Sequence, residues 1–348
     1  MKRYGDLYSN VWDLDNIREA HKNAKRGKSH YKEVQIVEAD RERYFIEIQK
    51  MLKNKTFRNS PYETFIKNDK GKERVIFKLP YFPDRIVQHC IMQVLEPIWM
   101  KTFIKDTYSS LKGRGIHEGV KRIKKALEDT ANTKYCLKMD VRKFYPSIDH
   151  TVLKAVIRAK IKDSDMLWLL DEIIDSTEGV PIGNYLSQYF GNLYLSRLDH
   201  WLKEEQGCKY YFRYCDDMVV LHSSKERLSE LRKSIEEYLK DMKLTLKDNW
   251  QVFPVDARGV DFLGYRFFHS HTLLRKSTAQ RFKNKVLYIK HNWKHMPPTN
   301  IINSIMSYHG WMKWADCYNL RSEYINKDTH KIIKIISEEN EITNPLKR

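Results

Sequence analysis

The sequence predicts an α+β fold, and three observations carry that expectation. Apolar residues recur at helical spacing in several long segments, short runs rich in Val, Ile, Tyr and Phe stand between them, and two of those runs read as hairpins. A hydrophobic content of 41% in 348 residues gives material for a sizeable core, in one large domain or two to three subdomains. The longest apolar stretch, "CIMQVLEPIWM" at 90–100, is broken by polar residues and Pro97 and is too short to span a bilayer. The N-terminus lacks the continuous apolar core of a secretory signal, so a cytoplasmic protein with no membrane partner is expected. Five cysteines form no Cys-x-x-Cys pair, and their odd number argues against a disulfide framework. The "HSH" at 269–271 has no second ligand pair nearby, which argues against structural zinc.

Charge narrows the partners. The chain carries 63 Lys and Arg against 45 Asp and Glu, a formal net charge of +18 spread along its whole length. That excess favours a polyanion, most simply nucleic acid, and no apolar-faced helix stands free to lie on an anionic membrane. The 8 Trp, 21 Tyr and 14 Phe add stacking surfaces, although most are expected in the core.

In chain order, "EADRERYFIEIQKMLKNK" from Glu38 places Phe45, Ile48 and Leu52 on one helical face. "ETFIKNDKGKERVIFK" at 63–78 alternates around a polar middle, which predicts a hairpin with Asn68 to Glu73 at its tip. Asp84 is expected to cap a helix through Ile86, Cys90 and Leu95 that stops before Pro97. The Gly-rich basic loop around Arg114 leads into a helix with Val120, Ile123 and Leu127 inward; it is either a phosphate grip or an ordinary connection.

The strand Tyr135–Met139 delivers Asp140 at its end. A helix follows, capped by Ser147 or Asp149, with Val152, Leu153, Val156 and Ile157 on its core face. "GVPIGNYLSQYFGNLYLSRLDHWLK" at 179–203 is a turn and then a helix, its small residues allowing close approach to backbone. Beyond the run at 212–222, a charged helix carries Leu228, Leu231, Ile235 and Leu239, and "VDFLGYRFF" at 260–268 reads as strand. Ser277 and Gln280 are expected to form a capping box on a helix that buries Phe282, Val286, Ile289 and Trp293. Its other face shows Arg281, Lys283, Lys285 and Lys290, either plain solvated surface or a nucleic-acid contact.

"FRYCDDMVVLH" at 212–222 sets Asp216 and Asp217 inside a strand-like run. Asp tolerates tight turns, so the pair is at least a hairpin tip. Hard divalent ions also take carboxylate oxygens, and Asp140 offers a third acid at a strand end.

Strand–Asp140, turn–helix around Gly183 and the Tyr214-Cys215-Asp216-Asp217 tip, in that order, resemble the palm of reverse transcriptases. The resemblance implies a right-hand polymerase: fingers mainly in 1–134, palm in 135–270 with a fingers insertion near 150–180, and a helical thumb in 271–348. It implies Asp140, Asp216 and Asp217 as catalytic metal ligands, with the Val141 carbonyl beside them, for two Mg²⁺ ions that Mn²⁺ can replace. Arg74 of "RVIF", with Lys78, is placed at the incoming triphosphate. Tyr145 is placed as an aromatic gate against a ribose 2′-hydroxyl, and Lys247 near the leaving pyrophosphate. "FLGYRF" (Phe262, Leu263, Gly264, Tyr265) looks like the primer grip, and Arg114, Arg281 and Lys285 like nucleic-acid contacts.

Ile182-Gly183-Asn184-Tyr185-Leu186-Ser187-Gln188 departs from the Gln-Gly-x-x-x-Ser-Pro of group II intron and retroviral relatives. It is similar to the form in diversity-generating retroelements, as are "LLRKS" at 273–277 and "HGWMKWADCYNL" at 309–320. Retron enzymes fit less well, since their Val-Thr-Gly near the thumb is missing, and no appended nuclease or ribonuclease H segment is expected.

That likeness implies an error-prone enzyme, mutagenic at template adenines, acting on dNTPs and a structured template RNA with its cDNA/RNA duplex. It also implies a small basic oligomeric accessory protein. Another bacterial reverse transcriptase, in phage defence or group II intron-like, and a non-catalytic nucleic-acid scaffold stay as alternatives. Cys215 departs from the small aliphatic residue usual in the tip.

Overall fold

Asp13 takes an extended backbone conformation after the short Tyr8–Val11 helix and accepts hydrogen bonds from the amides of Asp15 and Asn16, which starts the Leu14–Ala24 helix. The computed structural model describes residues 3–69 and 71–339. The Arg41–Lys53 helix buries Phe45, Ile48 and Leu52, as their spacing predicts. The Ile86–Trp99 helix differs from expectation at both ends. Asp84 lies in a preceding π-turn (Tyr81–Arg85) and its Oδ1 accepts the Ser60 amide at 2.9 Å instead of capping. Pro97 is inside the helix, not beyond it. It falls in the last turn, where its missing N–H removes one terminal bond and little helix remains to be broken.

The predicted hairpin forms from β1 (Glu63–Asp69) and β2 (Lys72–Lys78), antiparallel in the register Glu63↔Lys78 to Asp69↔Lys72. Of its expected tip, Lys70 lies outside the described residues. Next come β3 (Tyr135–Met139), β4 (Tyr210–Tyr214), β5 (Asp217–His222) and β6 (Gln251–Pro254), in the sheet order β4-β5-β3-β6. The helix after β3 begins at His150 with Asp149 as its cap, accepting from the Val152 amide. The run at 260–268 is not one strand but a hairpin of β7 (Val260–Phe262) and β8 (Tyr265–Phe267), continued by β9 (Thr272–Leu274). Leu263 and Gly264 both take positive φ, 54° and 86°, the backbone of a tight two-residue turn.

The chain forms two compact units: residues 1–115, 139–218 and 230–250, and residues 116–138, 219–229 and 251–348. The division passes through β3 and β5, so Asp140 and the β4–β5 turn fall in the first unit. That unit is built on the N-terminal helices, the β1–β2 hairpin and the Ser187–His200 helix, which is buried along most of its length. In the second, the Ile116–Leu127 helix buries Val120, Ile123 and Leu127. C-terminal helices follow, among them Lys276–Asn292, Pro298–Met312, Tyr318–Tyr324 and Lys327–Glu339. The first of them lacks the expected capping box. It starts at Lys276 with Arg275 as an uncapped N-cap, and Gln280 turns along the helix to donate to Asn284 Oδ1 at 2.9 Å.

Candidate active site

β3 ends at Met139, and antiparallel pairing then continues against residues 245–247. Lys247 N–H donates to the Asp140 carbonyl at 2.9 Å, and Arg142 N–H to the Thr245 carbonyl at 2.8 Å. This pairing sets Lys247 beside Asp140, and its Nζ donates to Asp140 Oδ2. Strand alternation turns the Val141 carbonyl away from the 245–247 segment. Asp216 hydrogen-bonds to Asp140, so two acids remote in sequence meet. Burial, and then the hydrogen bond and charge of Asp140, push the Asp216 carboxyl up to about 7. Asp217, half-buried, is the first residue of β5.

The tip is held by residues whose spacing in the sequence gives them no obvious role. Cys215 sits at φ 57°, a left-handed conformation that a side chain disfavours. Its carbonyl accepts from Arg213 Nη1 at 2.9 Å, and its Sγ donates to the Tyr145 hydroxyl at 3.3 Å. Arg213 is fully buried and forms a two-point pair with Asp199, Nε to Oδ1 at 2.7 Å and Nη2 to Oδ2 at 2.5 Å. Its Nη1 also reaches Asn192 Oδ1 at 3.1 Å. The one sequence signal was a guanidinium inside a strand of core residues, which requires a buried acid; Asp199, on an apolar helix, is that acid.

Tyr145 and Gln188 come together as well, the hydroxyl donating to Gln188 Oε1 at 2.9 Å. Burial first, and then the Cys215 and Asp216 groups, raise the Tyr145 pKa far above its ordinary value, so the phenol stays neutral. A Cβ on Gly191 would lie 3.2 Å from the Tyr145 ring, so a glycine leaves that ring its place. Ile182 is half-buried, and its carbonyl accepts the Phe77 amide at 2.8 Å. Gly183 has φ 134°, and a Cβ there would stand 2.2 Å from the Phe77 carbonyl oxygen. The 182–183 turn is thereby fastened to β2.

The remaining candidates are less gathered. Arg74 is exposed on β2, paired across the hairpin with Lys67. Lys78 is engaged by two carboxylates, Glu33 at 3.1 Å and Glu63 at 3.2 Å. Arg114 directs Nη1 to the Ile104 carbonyl at 2.7 Å, which ties down its loop. In the second unit, Phe262, Leu263 and Tyr265 are buried, which leaves their side chains out of reach of a partner. Tyr265 stacks on Trp311, and a Cβ on Gly264 would meet the Trp311 ring at 2.6 Å. Arg281 is exposed on its helix, and Lys285 lies over the Tyr288 ring.

Among the described residues no group of three or more His, Cys, Asp or Glu is arranged to hold a metal ion by itself. The Asp140–Asp216 pair nonetheless suits a divalent cation. Two facing carboxylates, one already pushed toward neutrality, would both ionise under a dication, and the Val141 carbonyl adds a hard oxygen. Such a partial set suits Mg²⁺, which keeps waters and takes substrate phosphates as its other ligands.

Residues 65–267 match the family described as reverse transcriptase (RNA-dependent DNA polymerase). Protein YkfC of Escherichia coli is 24% identical over 254 residues, which cover 60% of this chain and 66% of that protein. Group II intron-encoded protein LtrA of Lactococcus lactis is 25% identical over 200 residues, 53% of this chain and 33% of its own length. The chain thus spans less than two thirds of either relative. Among solved structures, apo telomerase from Candida tropicalis superposes with a TM-score of 0.50 at 13% identity, covering 81% of this chain and 63% of that one. That likeness is one of fold.

Proposed function

Since this chain belongs to the reverse transcriptase family, with group II intron-like relatives and a right-hand polymerase fold, we propose that it is an RNA-directed DNA polymerase copying a structured template RNA into cDNA. The observation that carries this reading is the meeting of Asp140 and Asp216 beside Lys247. Asp140, Asp216 and Asp217, with the Val141 carbonyl, would hold two Mg²⁺ ions, or Mn²⁺ in their place, which supply charge stabilisation to the attacking and leaving oxygens. Lys247, oriented by Asp140, neutralises charge on the departing pyrophosphate, and Arg74 and Lys78 take the triphosphate. The Tyr145 ring, fixed through Gln188, excludes a ribose 2′-hydroxyl and so selects dNTPs. We assign fingers mainly to 1–134, palm to 135–270 with a fingers insertion near 150–180, and a helical thumb to 271–348. The primer-grip residues 262–265 and the basic Arg114, Arg281 and Lys285 hold the RNA and the cDNA/RNA duplex.

Primer extension on an RNA template with Mg²⁺ tests this directly. The wild type is expected to extend and Asp216→Ala to fall to background. A wild type inert on every RNA template would leave the non-catalytic scaffold as the better reading, and an Asp216→Ala variant that keeps its rate would remove Asp216 from the catalytic site.

The finer assignment is an error-prone enzyme of the diversity-generating type, working with a small basic oligomeric accessory protein. Ile182-Gly-x-x-x-Ser-Gln supports it, because an Ile in place of a Gln offers the nascent pair packing without a polar contact. Misincorporation opposite each template base is expected to concentrate at adenine and to decline in Ile182→Gln. Equal error spectra would favour another bacterial reverse transcriptase, in phage defence or group II intron-like.

A further inference from the structure

Arg213 is held at every polar atom. Its amide donates to the Asp106 carbonyl at 2.9 Å, and its carbonyl accepts the Tyr108 amide at 3.0 Å, which pins the outer edge of β4. Its guanidinium forks onto Asp199, which also accepts from the Tyr211 hydroxyl at 2.7 Å and Thr107 Oγ1 at 3.3 Å. Asn192, the third partner, donates its own Nδ2 to the Ser109 carbonyl at 2.8 Å. One arm of this assembly reaches the tip: Nη1 to the carbonyl of Cys215, the left-handed residue immediately before Asp216.

A buried ion pair is a poor device for stability alone, since well-packed apolar residues often serve as well. A fork fixed on three sides, with one donor on a strained turn, is suited to holding geometry. We propose that Arg213 is a positioning residue, clamping the 214–216 turn through the Cys215 carbonyl so that Asp216 meets Asp140 in metal-binding register. The proposal rests on the polymerase reading for its consequence, though the clamp itself does not.

Two variants of the full chain separate positioning from packing. Arg213→Lys keeps a cation for Asp199 but has no planar fork to reach Cys215 at the same time. The triple change Arg213→Met, Asp199→Leu and Tyr211→Phe replaces the network by apolar groups of similar size. Thermal unfolding reports folding, Mn²⁺ binding followed by electron paramagnetic resonance reports the site, and Mg²⁺ titration of primer extension reports function. Arg213→Lys is expected to unfold near the wild-type temperature while its Mn²⁺ affinity falls, and its Mg²⁺ midpoint rises, by about 10-fold or more, as when an outer partner of a metal ligand is removed. The triple variant is expected to behave alike.

Unchanged metal affinity in a folded variant would overturn the proposal, and so would loss of folding in both, because the pair would then serve the core alone. A wild type that binds Mn²⁺ but extends no RNA-templated primer would sink the polymerase reading and leave the Mn²⁺ data to decide the clamp.

Discussion

Tyr145 shows how a single side chain acquires a role from its neighbours. Its hydroxyl gives one hydrogen bond to Gln188 and takes one from Cys215, so the ring has little freedom to yield to a bulkier sugar. Tyr145→Ala is expected to raise ribonucleotide use relative to deoxynucleotide use by about 10- to 100-fold, the range for a steric pocket difference, measured as the ratio of kcat/KM values. An unchanged ratio would remove the gate assignment. His89 answers to pH for a different reason. It is buried, stacks on Tyr185 at 4.1 Å, and among the described residues has no hydrogen-bond partner at Nε2. Burial, then the charges of Arg85 and Lys28, push its pKa down to about 4 from 6.5. Between those values the unfolded chain binds a proton that the folded chain refuses, so stability is full above about pH 6.5 and declines toward about pH 4. The decline is at most about 3 kcal/mol. Urea unfolding at several pH values is expected to show a shallower decline in His89→Phe.

At the scale of elements, the Ser187–His200 helix joins the parts of the site. It carries Gln188 against the Tyr145 hydroxyl, Gly191 against its ring, and Asn192 and Asp199 behind the tip. Its preceding turn is fastened to β2 by the bond between Phe77 N–H and the Ile182 carbonyl, with Gly183 pressed against the Phe77 carbonyl. Gly183→Ala forces that contact apart and also places a side chain at a φ few residues adopt. A loss of about 2 kcal/mol or more is expected, together with a higher KM for dNTPs if the turn and β2 flank the incoming nucleotide. Wild-type stability in this variant would show that the turn and strand are not fastened as described.

For the molecule as a whole, the +18 charge makes salt the decisive variable. Affinity for an RNA/DNA duplex is expected to fall steeply and linearly in log–log form with salt, through release of counterions from phosphates. Replacing Arg281 and Lys285 by Ala is expected to reduce that slope by about 1 for each phosphate no longer neutralised, with little sequence dependence. A slope identical to the wild type would assign those side chains to solvent alone. Among the described residues no helix is long and apolar enough to cross a membrane.

Periodicity and turn chemistry are local properties, and the sequence by itself determined what depends on them: the helical faces of Phe45, Ile48 and Leu52 and of Leu228, Leu231, Ile235 and Leu239, the 63–78 hairpin, a helix cap at Ser147 or Asp149, and Asp140 at a strand end. The order of these features along the chain was enough to suggest the family. Where a local rule failed, a competing contact had won. Ser60 claims the Asp84 carboxylate, and Gln280 bonds along its helix to Asn284. Only the tertiary structure decided that Asp216 touches Asp140, that Cys215 is a left-handed residue bonded to Tyr145, and that Arg213 bonds to the tip. Those facts depend on which remote groups share a dry interior, where each buried charge must find its partner and no rule of sequence spacing can name it.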